Sequence, residues 1–283
     1  VREKRPKPIT DTKVLAAWNA LMISGYCRAY QALGDAEFLA AAVKAGRFLR
    51  THLTREDGRL YRRWREGEAA HDGVLPDYAY TIAAYLDLYE TTFDQAWLAE
   101  ALRLNAFVLD SFHDKEKGAF YFTSKQGERL IARGKGGQDN ARPSGNAVMA
   151  MNLLRISELS GDLDARGLAQ ATMDHFGTML TGSSLGFGSM LGALDFAQGP
   201  REIFIAGAAE DAGTQALIQA VWRNPDPNRV VALVAPGLEK LLPPAAGKTP
   251  VDGKPAAYVC RNFTCDAPTT DPADLAWKPL EAD

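Results

Sequence analysis

The 283-residue chain carries 32 Lys and Arg against 35 Asp and Glu, a formal net charge of −3, with 46% hydrophobic and 24% charged residues. This is the balance of an ordinary soluble globular protein of one large or two modest domains. It offers no basic field for nucleic acid, and no apolar run reaches the ~18–20 residues needed to cross a bilayer.

The chain opens on the short basic stretch 2–8, interrupted by proline and read as a solvated approach to the first helix. These charged residues lack an apolar core segment, so no signal peptide is expected. With only Cys27, Cys260 and Cys265, a disulfide scaffold is not indicated and a reducing cytoplasm is the expected location.

Three acidic turns then organise the sequence: Leu33-Gly34-Asp35, Thr92-Phe93-Asp94 and Ser160-Gly161-Asp162. The acidic residues are spaced 59 and then 68 positions apart (35 to 94 to 162). A helical apolar pattern lies on each side of each turn. The first hairpin runs through Trp18, Leu21, Met22, Tyr26 and Leu33, and returns through Phe38, Ala42, Phe48 and Leu49. The second runs from Asp77 through Ile82, Tyr85 and Tyr89, and returns through Trp97, Leu104 and Phe112. The third opens at Ser144 with Val148, Met151 and Leu154, and returns through Leu168, Met173 and Phe176. Turn-plus-aromatic segments, 56–61 and 114–122, follow the first two hairpins. A Gly/Ser-rich stretch at 181–189 and a short helix over 190–196 follow the third. Such a period marks a repeat architecture, because one helix pair cannot bury its own apolar face. After Pro200 the pattern changes. Buried strands are expected at 201–207 and 229–234 with a helix over 214–223 between them, most simply a parallel pair, and a third strand at 256–263. The reading divides the chain into helical hairpins at 13–199 and a small strand–helix–strand element at 200–283.

In a ring of hairpins, equivalent helix ends gather at one mouth. Seventeen residues before the acidic turns stand Trp18, Asp77 and Gly145, followed by Asn19, Tyr78 and Asn146. Helix N-termini there present free N–H groups and a positive dipole end. Asp77 and Ser144 also suit N-capping, and Trp18 and Tyr78 suit core packing; those readings stay open. The loops around His71-Asp72 and Asp139-Asn140-Ala141-Arg142 are expected beside the same mouth. Motifs for zinc, dinucleotide, P-loop or serine-hydrolase chemistry are absent, so neither cofactor nor metal is expected. Cys260 and Cys265 are read as two buried free thiols, since residues five apart on one regular strand point to opposite faces.

Four segments in order carry a resemblance. Residues 11–22, Asp-Thr-Lys-Val-Leu-Ala-Ala-Trp-Asn-Ala-Leu-Met, resemble the D-D-K-[IV]-L-x-x-W-N-G-L-M segment of the YyaL-like, thioredoxin-domain-containing family, which includes the spermatogenesis-associated proteins of animals. Thr12 and Ala20 depart from it. Residues 75–80 resemble its L-E-D-Y-A segment, 142–147 its P-S-G-N-[SA] segment, and 258–265 its Y-V-C-x-N-x-x-C ending. The resemblance implies a mainly α fold: a helical-hairpin (α/α) toroid of the six-hairpin glycosidase and N-acylglucosamine 2-epimerase type, with a small C-terminal α/β element. Three hairpins make a partial ring. The remaining N-terminal hairpins and a thioredoxin-like domain would then be supplied in the same polypeptide or by another chain.

The expected function is carbohydrate binding or carbohydrate-active chemistry, epimerase-, isomerase- or glycosidase-like. The alternative is a non-catalytic binding or scaffold module accompanying a thioredoxin-like domain. The expected pocket has Asp77 as acid or base, Trp18 as a stacking wall, and Asn19, Tyr78, Arg142, Ser144 and Asn146 as binding groups for a small carbohydrate.

Overall fold

The computed structural model describes residue 5 and residues 9–127, 131–224 and 226–275. Residues 276–283 of the expected C-terminal element lie outside the described residues. The helical part consists of α1 (Ala16–Leu33), α2 (Ala36–His52), α3 (Leu75–Thr92), α4 (Gln95–Ser111), α5 (Gly145–Ser160), α6 (Leu163–Gly182) and α7 (Gly188–Gln198).

The acidic turns work by one local mechanism. The residue after each inner helix adopts a left-handed conformation (Gly34 φ 74°, Phe93 φ 57°, Gly161 φ 76°), and the following aspartate caps the return helix. Asp35 accepts from Glu37 N (2.9 Å), Asp94 from Ala96 N (3.0 Å), and Asp162 from Asp164 N and Ala165 N (3.0 and 3.1 Å). Each such cap contributes about 1 kcal/mol. Phe93 takes a backbone conformation that suits glycine, and its ring stacks on Trp222 at 6.4 Å, which is a reason for an aromatic there.

Each return helix packs on its own partner, while α1, α3, α5 and α7 pack side by side in chain order. Hydrogen bonds at both ends show that α1 and α3 run parallel: Ala17 N donates to Asp77 Oδ1 (3.3 Å), and Gln31 Nε2 donates to Thr91 Oγ1 (2.7 Å). The next interface repeats the arrangement, with Asn152 Nδ2 donating to Ala79 O (2.8 Å) and Arg155 to Asp87 and Glu90 (2.8 and 2.6 Å). The inner helices α3 and α5 are buried almost all round, so their polar residues must find partners between helices. The expected second and third hairpins start within two residues of the observed α3 and α5, and α7 extends the expected short helix by two residues at each end.

Two small sheets close the helical ends. At the N-terminal end of the inner helices, β1 (Val14–Leu15), β2 (Tyr61–Arg65) and β3 (Glu68–Asp72) form an antiparallel sheet in that order. The β2–β3 turn at Glu66-Gly67 has φ of 53° and 88°, suited to a two-residue hairpin. His71 and Asp72, expected in a loop, stand on β3. The second aromatic segment forms only an isolated bridge, His113 to Phe120.

The C-terminal element has β4 (Arg201–Ala206), α8 (Ala212–Arg223), β5 (Arg229–Val234), β6 (Ala256–Arg261) and β7 (Thr264–Cys265), in sheet order β5-β4-β6-β7. The β4–β5 pair is parallel, as its strand–helix–strand pattern implies, and β6 joins β4 antiparallel. This element covers the C-terminal ends of the inner helices. Trp222 meets Tyr30 and Phe93, and the carboxyls of Glu202 on β4 and Glu158 on α5 face one another.

One expectation is corrected here. Cys260 and Cys265 are joined by a disulfide (S–S 2.04 Å). They do not lie on one continuous strand: the chain reverses at Asn262-Phe263 (φ 50° and 62°), and Cys260 and Cys265 become direct cross-strand partners. Cys260 is buried and Cys265 exposed. The remaining Cys27 is a buried free thiol, pushed up to about 12 by burial.

Candidate functional site

The parallel inner helices present their N-termini at the end opposite the C-terminal element. There the segment between α4 and α5 crosses the starts of α3 and α5. Leu75 N donates to Phe122 O (2.9 Å), and Phe122 N donates to Gly134 O (2.8 Å). Asn146, fully buried, braces this crossing. Its Oδ1 accepts from Phe120 N (2.7 Å), and its Nδ2 donates to Phe120 O and Gly136 O (3.0 and 2.9 Å). Asp139 ties the same segment down on both sides, accepting from Ser144 N and from Ser189 N at the start of α7 (2.7 Å each).

These braces leave a cleft of about 300 Å³ between the crossing segment and the two helix starts. Leu75, Pro76 and Phe122 supply apolar wall, and Tyr80, Gln138, Asn140, Arg142 and Ser144 supply polar groups. Tyr80 donates its hydroxyl proton to Pro143 O, which leaves the phenol oxygen as an acceptor, and burial raises its titration. Arg142 is exposed at the rim. The size is at the lower end for small-molecule sites, and the mix of ring, amide, hydroxyl and guanidinium groups suits a polar ligand with an apolar face.

Of the expected pocket residues, Arg142, Ser144 and Asn146 line this cleft, and four do not. Trp18 is 59% exposed on α1, away from the cleft. Asn19 donates to Leu15 O (2.9 Å) and borders a separate groove against α2. Tyr78 is buried among Phe107 and Phe112, its hydroxyl accepting from Leu60 N (2.9 Å). Asp77 is 3% exposed; its Oδ2 accepts from Val74 N (2.9 Å) and its Oδ1 from Ala17 N. It stitches its own helix start to α1. Burial pushes its carboxyl up to about 6, against the opposing pull of those N–H groups, Arg62 and Arg142. Ser144 caps α5, accepting from Ala147 N (3.0 Å). Tyr80 and Asn140 belong to segments that the repeat already directs to the mouth. Gln138 carries no local signal; it reaches the cleft because Asn146 and Asp139 fold its segment back. Among the described residues no group of three or more His, Cys, Asp or Glu side chains is arranged to hold a metal ion. None of the described helices is long and apolar enough to cross a membrane.

No family model matches the chain. Over 97% of its length it is 34% identical to spermatogenesis-associated protein 20 of Homo sapiens and 33% identical to that of Rattus norvegicus, covering 37% of each. It is 26% identical over 94% of its length to a protein of Caenorhabditis elegans, of which it covers 38%. The chain thus spans little more than a third of these relatives. Among solved structures it is similar to an α-mannanase of Bacteroides thetaiotaomicron (TM-score 0.49, 19% identity, 59% of this chain and 45% of that one). It is also similar to cellobiose 2-epimerase of Bacillus thermoamylovorans (TM-score 0.50, 17% identity, 59% of this chain and 45% of that one). The likeness to the epimerase establishes the fold: this chain is mainly α, with the stacked helical hairpins of an (α/α) toroid and small added sheets.

Proposed function

We propose that the chain contributes a carbohydrate site to its toroid and that the cleft at the starts of α3 and α5 is that site. The observation that carries this is the cleft itself: apolar wall from Leu75, Pro76 and Phe122 faces hydrogen-bonding groups of Tyr80, Gln138, Asn140, Arg142 and Ser144. A sugar offers the same combination, C–H faces with a rim of hydroxyls. The epimerase whose fold this chain shares is named for a disaccharide, cellobiose, which supports the same reading. The chemistry we favour is epimerase- or isomerase-like, a proton moved at a carbon beside a carbonyl. Asp77 lies behind Pro76 with both oxygens on backbone N–H groups, so in this reading it holds the helix start that frames the cleft rather than meeting the ligand. The preceding hairpins and an accompanying thioredoxin-like domain are partners we propose for the whole protein.

The test is thermal stabilisation by a panel of mono- and disaccharides, cellobiose included, on this chain and on the full natural polypeptide. A ligand at 100 times its Kd stabilises by about 2.7 kcal/mol, well within detection. A saturable shift that disappears in Arg142→Ala, with the unliganded Tm unchanged, supports the reading. No shift with any sugar in either polypeptide overturns it.

A further inference from the structure

The β6–β7 hairpin brings an exposed sulfur and a buried carboxyl together at the seam between the C-terminal element and α5. Cys260 is 2% exposed and packed in the core, whereas Cys265 is exposed on β7, the two-residue edge strand of its sheet. Cys260 is also the direct cross-strand partner of Glu202 on β4, so the two side chains stand on one face of the sheet. The reversal that the disulfide closes folds back over that glutamate. Phe263 N donates to Glu202 Oε2 (3.3 Å), and the N–H of Asn262 lies beside the same carboxyl. Both turn residues are left-handed (φ 50° and 62°), a conformation that costs a phenylalanine roughly 1–2 kcal/mol. Phe263 is 37% exposed, so packing does little to hold it there. The cross-link at the base of the turn and the carboxyl beneath it do so instead.

We propose that Cys260–Cys265 is a thiol-exchange site, opened at Cys265 by a low-molecular-weight thiol, and that its opening releases the turn from Glu202. The incoming thiolate bonds to Cys265 Sγ as the Cys260–Cys265 bond breaks, and Cys260 leaves as a thiolate. A second thiol attacks the mixed disulfide, bonds to the first, and frees Cys265. Two small thiols are thereby oxidised to their disulfide and one protein disulfide is reduced, two electrons in all; the two protons released by the attacking thiols end on Cys260 and Cys265. Burial of Cys260 fixes the direction of attack, and exposed disulfides are the labile ones. With the hairpin open, Asn262 and Phe263 relax toward ordinary backbone and Glu202 loses their N–H groups. It is left facing Glu158 on α5, which is bonded to Arg166 of α6, with Lys248 the other charge nearby. Exchange at the surface is in this way linked to the acid pair that joins the C-terminal element to the hairpins. Neither step depends on what the cleft binds, so failure of the sugar experiment leaves the proposal standing.

The experiment treats the native chain with reduced glutathione, alkylates the thiols at intervals and locates both adducts by mass spectrometry. Cys27, buried and free, reports global opening in the same sample. Glutathione should appear on Cys265, and alkylated Cys260 should appear at least about tenfold faster than alkylated Cys27. Simultaneous appearance of all three thiols would mean exchange only through unfolding, and an adduct confined to Cys260 would reverse the direction of attack; either overturns the proposal. The link to Glu202 is read from the Tm gap between the native chain and a Cys260→Ala, Cys265→Ser double variant. The turn's N–H groups favour the ionised carboxyl, so without them Glu202 keeps its proton to higher pH and stability goes on falling. The gap should widen by a few degrees from pH 6 to pH 9, and should stay constant when both proteins also carry Glu202→Gln. A gap independent of pH with Glu202 in place would show that the turn keeps its hold without the disulfide, and would overturn the link.

Discussion

Glu158 and Glu202 offer the most quantitative test of how the C-terminal element is held. Both carboxyls are 0% exposed and face one another across the α5–β4 interface. Glu158 Oε1 takes Arg166, Glu202 Oε2 takes the N–H of Phe263, and Glu158 Oε2 and Glu202 Oε1 have no donor among the described residues. Two carboxylates cannot share that space without a proton between them. Burial, then the hydrogen bond and charge of Glu158, push Glu202 up to about 8 from an ordinary 4.5; Lys248 is the other charged group acting nearby. The sign follows. Between these values the unfolded chain is ionised at this position and the folded chain keeps its proton. Stability from the pair is therefore complete below 4.5 and is lost as pH rises toward 8, at about 1.4 kcal/mol per pH unit.

From pH 6 to 7.5 that amounts to about 2 kcal/mol, or roughly 3–4 °C of Tm for a chain of this size. Glu202→Gln preserves the shape and supplies a permanent N–H for Glu158. Scanning calorimetry of both proteins across that range should show the fall in the native protein and its disappearance in the variant. A variant whose Tm falls with the same slope would refute the shared proton.

Three further outcomes are expected. Asn146→Ala removes the partner of Phe120 N, Phe120 O and Gly136 O at a fully buried site, and should cost about 2–4 kcal/mol in urea unfolding while loosening the cleft wall to hydrogen exchange. Asp77→Asn leaves Val74 N or Ala17 N without an acceptor and should cost about 1–2 kcal/mol. Because the Asp77 carboxyl is raised to about 6, its stabilisation is complete below its ordinary value of 3.8 and declines as pH approaches 6; the variant should lack that decline in a pH series of melts. Cys265→Ser opens a loop closed across a sequence separation of 5, and by loop-closure entropy should lower stability by about 2 kcal/mol, measured against the oxidised protein.

The hairpins were legible because their signals are local. A left-handed residue followed by an aspartate cap, with apolar residues at helical spacing on either side, needs no long-range partner to be read, and it recurs three times. The parallel β4–β5 pair was legible for the same reason: two buried runs separated by one amphipathic helix. The cleft was not. Asp77, Tyr78 and Asn146 sit at equivalent, polar-looking positions in the repeat. Only the tertiary structure decides that Tyr78 points into an aromatic cluster, that Asp77 bridges to Ala17, and that Asn146 holds a strand-like crossing 26 residues away. Each depends on which backbone N–H is left without a partner nearby, and that is settled only when distant segments are brought together. The cysteine pair makes the point most plainly. Spacing by five separates two side chains on one strand, yet a two-residue reversal at Asn262-Phe263 makes them neighbours. Periodicity in the sequence determined the hairpins and their stacking order; the site was decided by where the intervening loops come to rest on that stack.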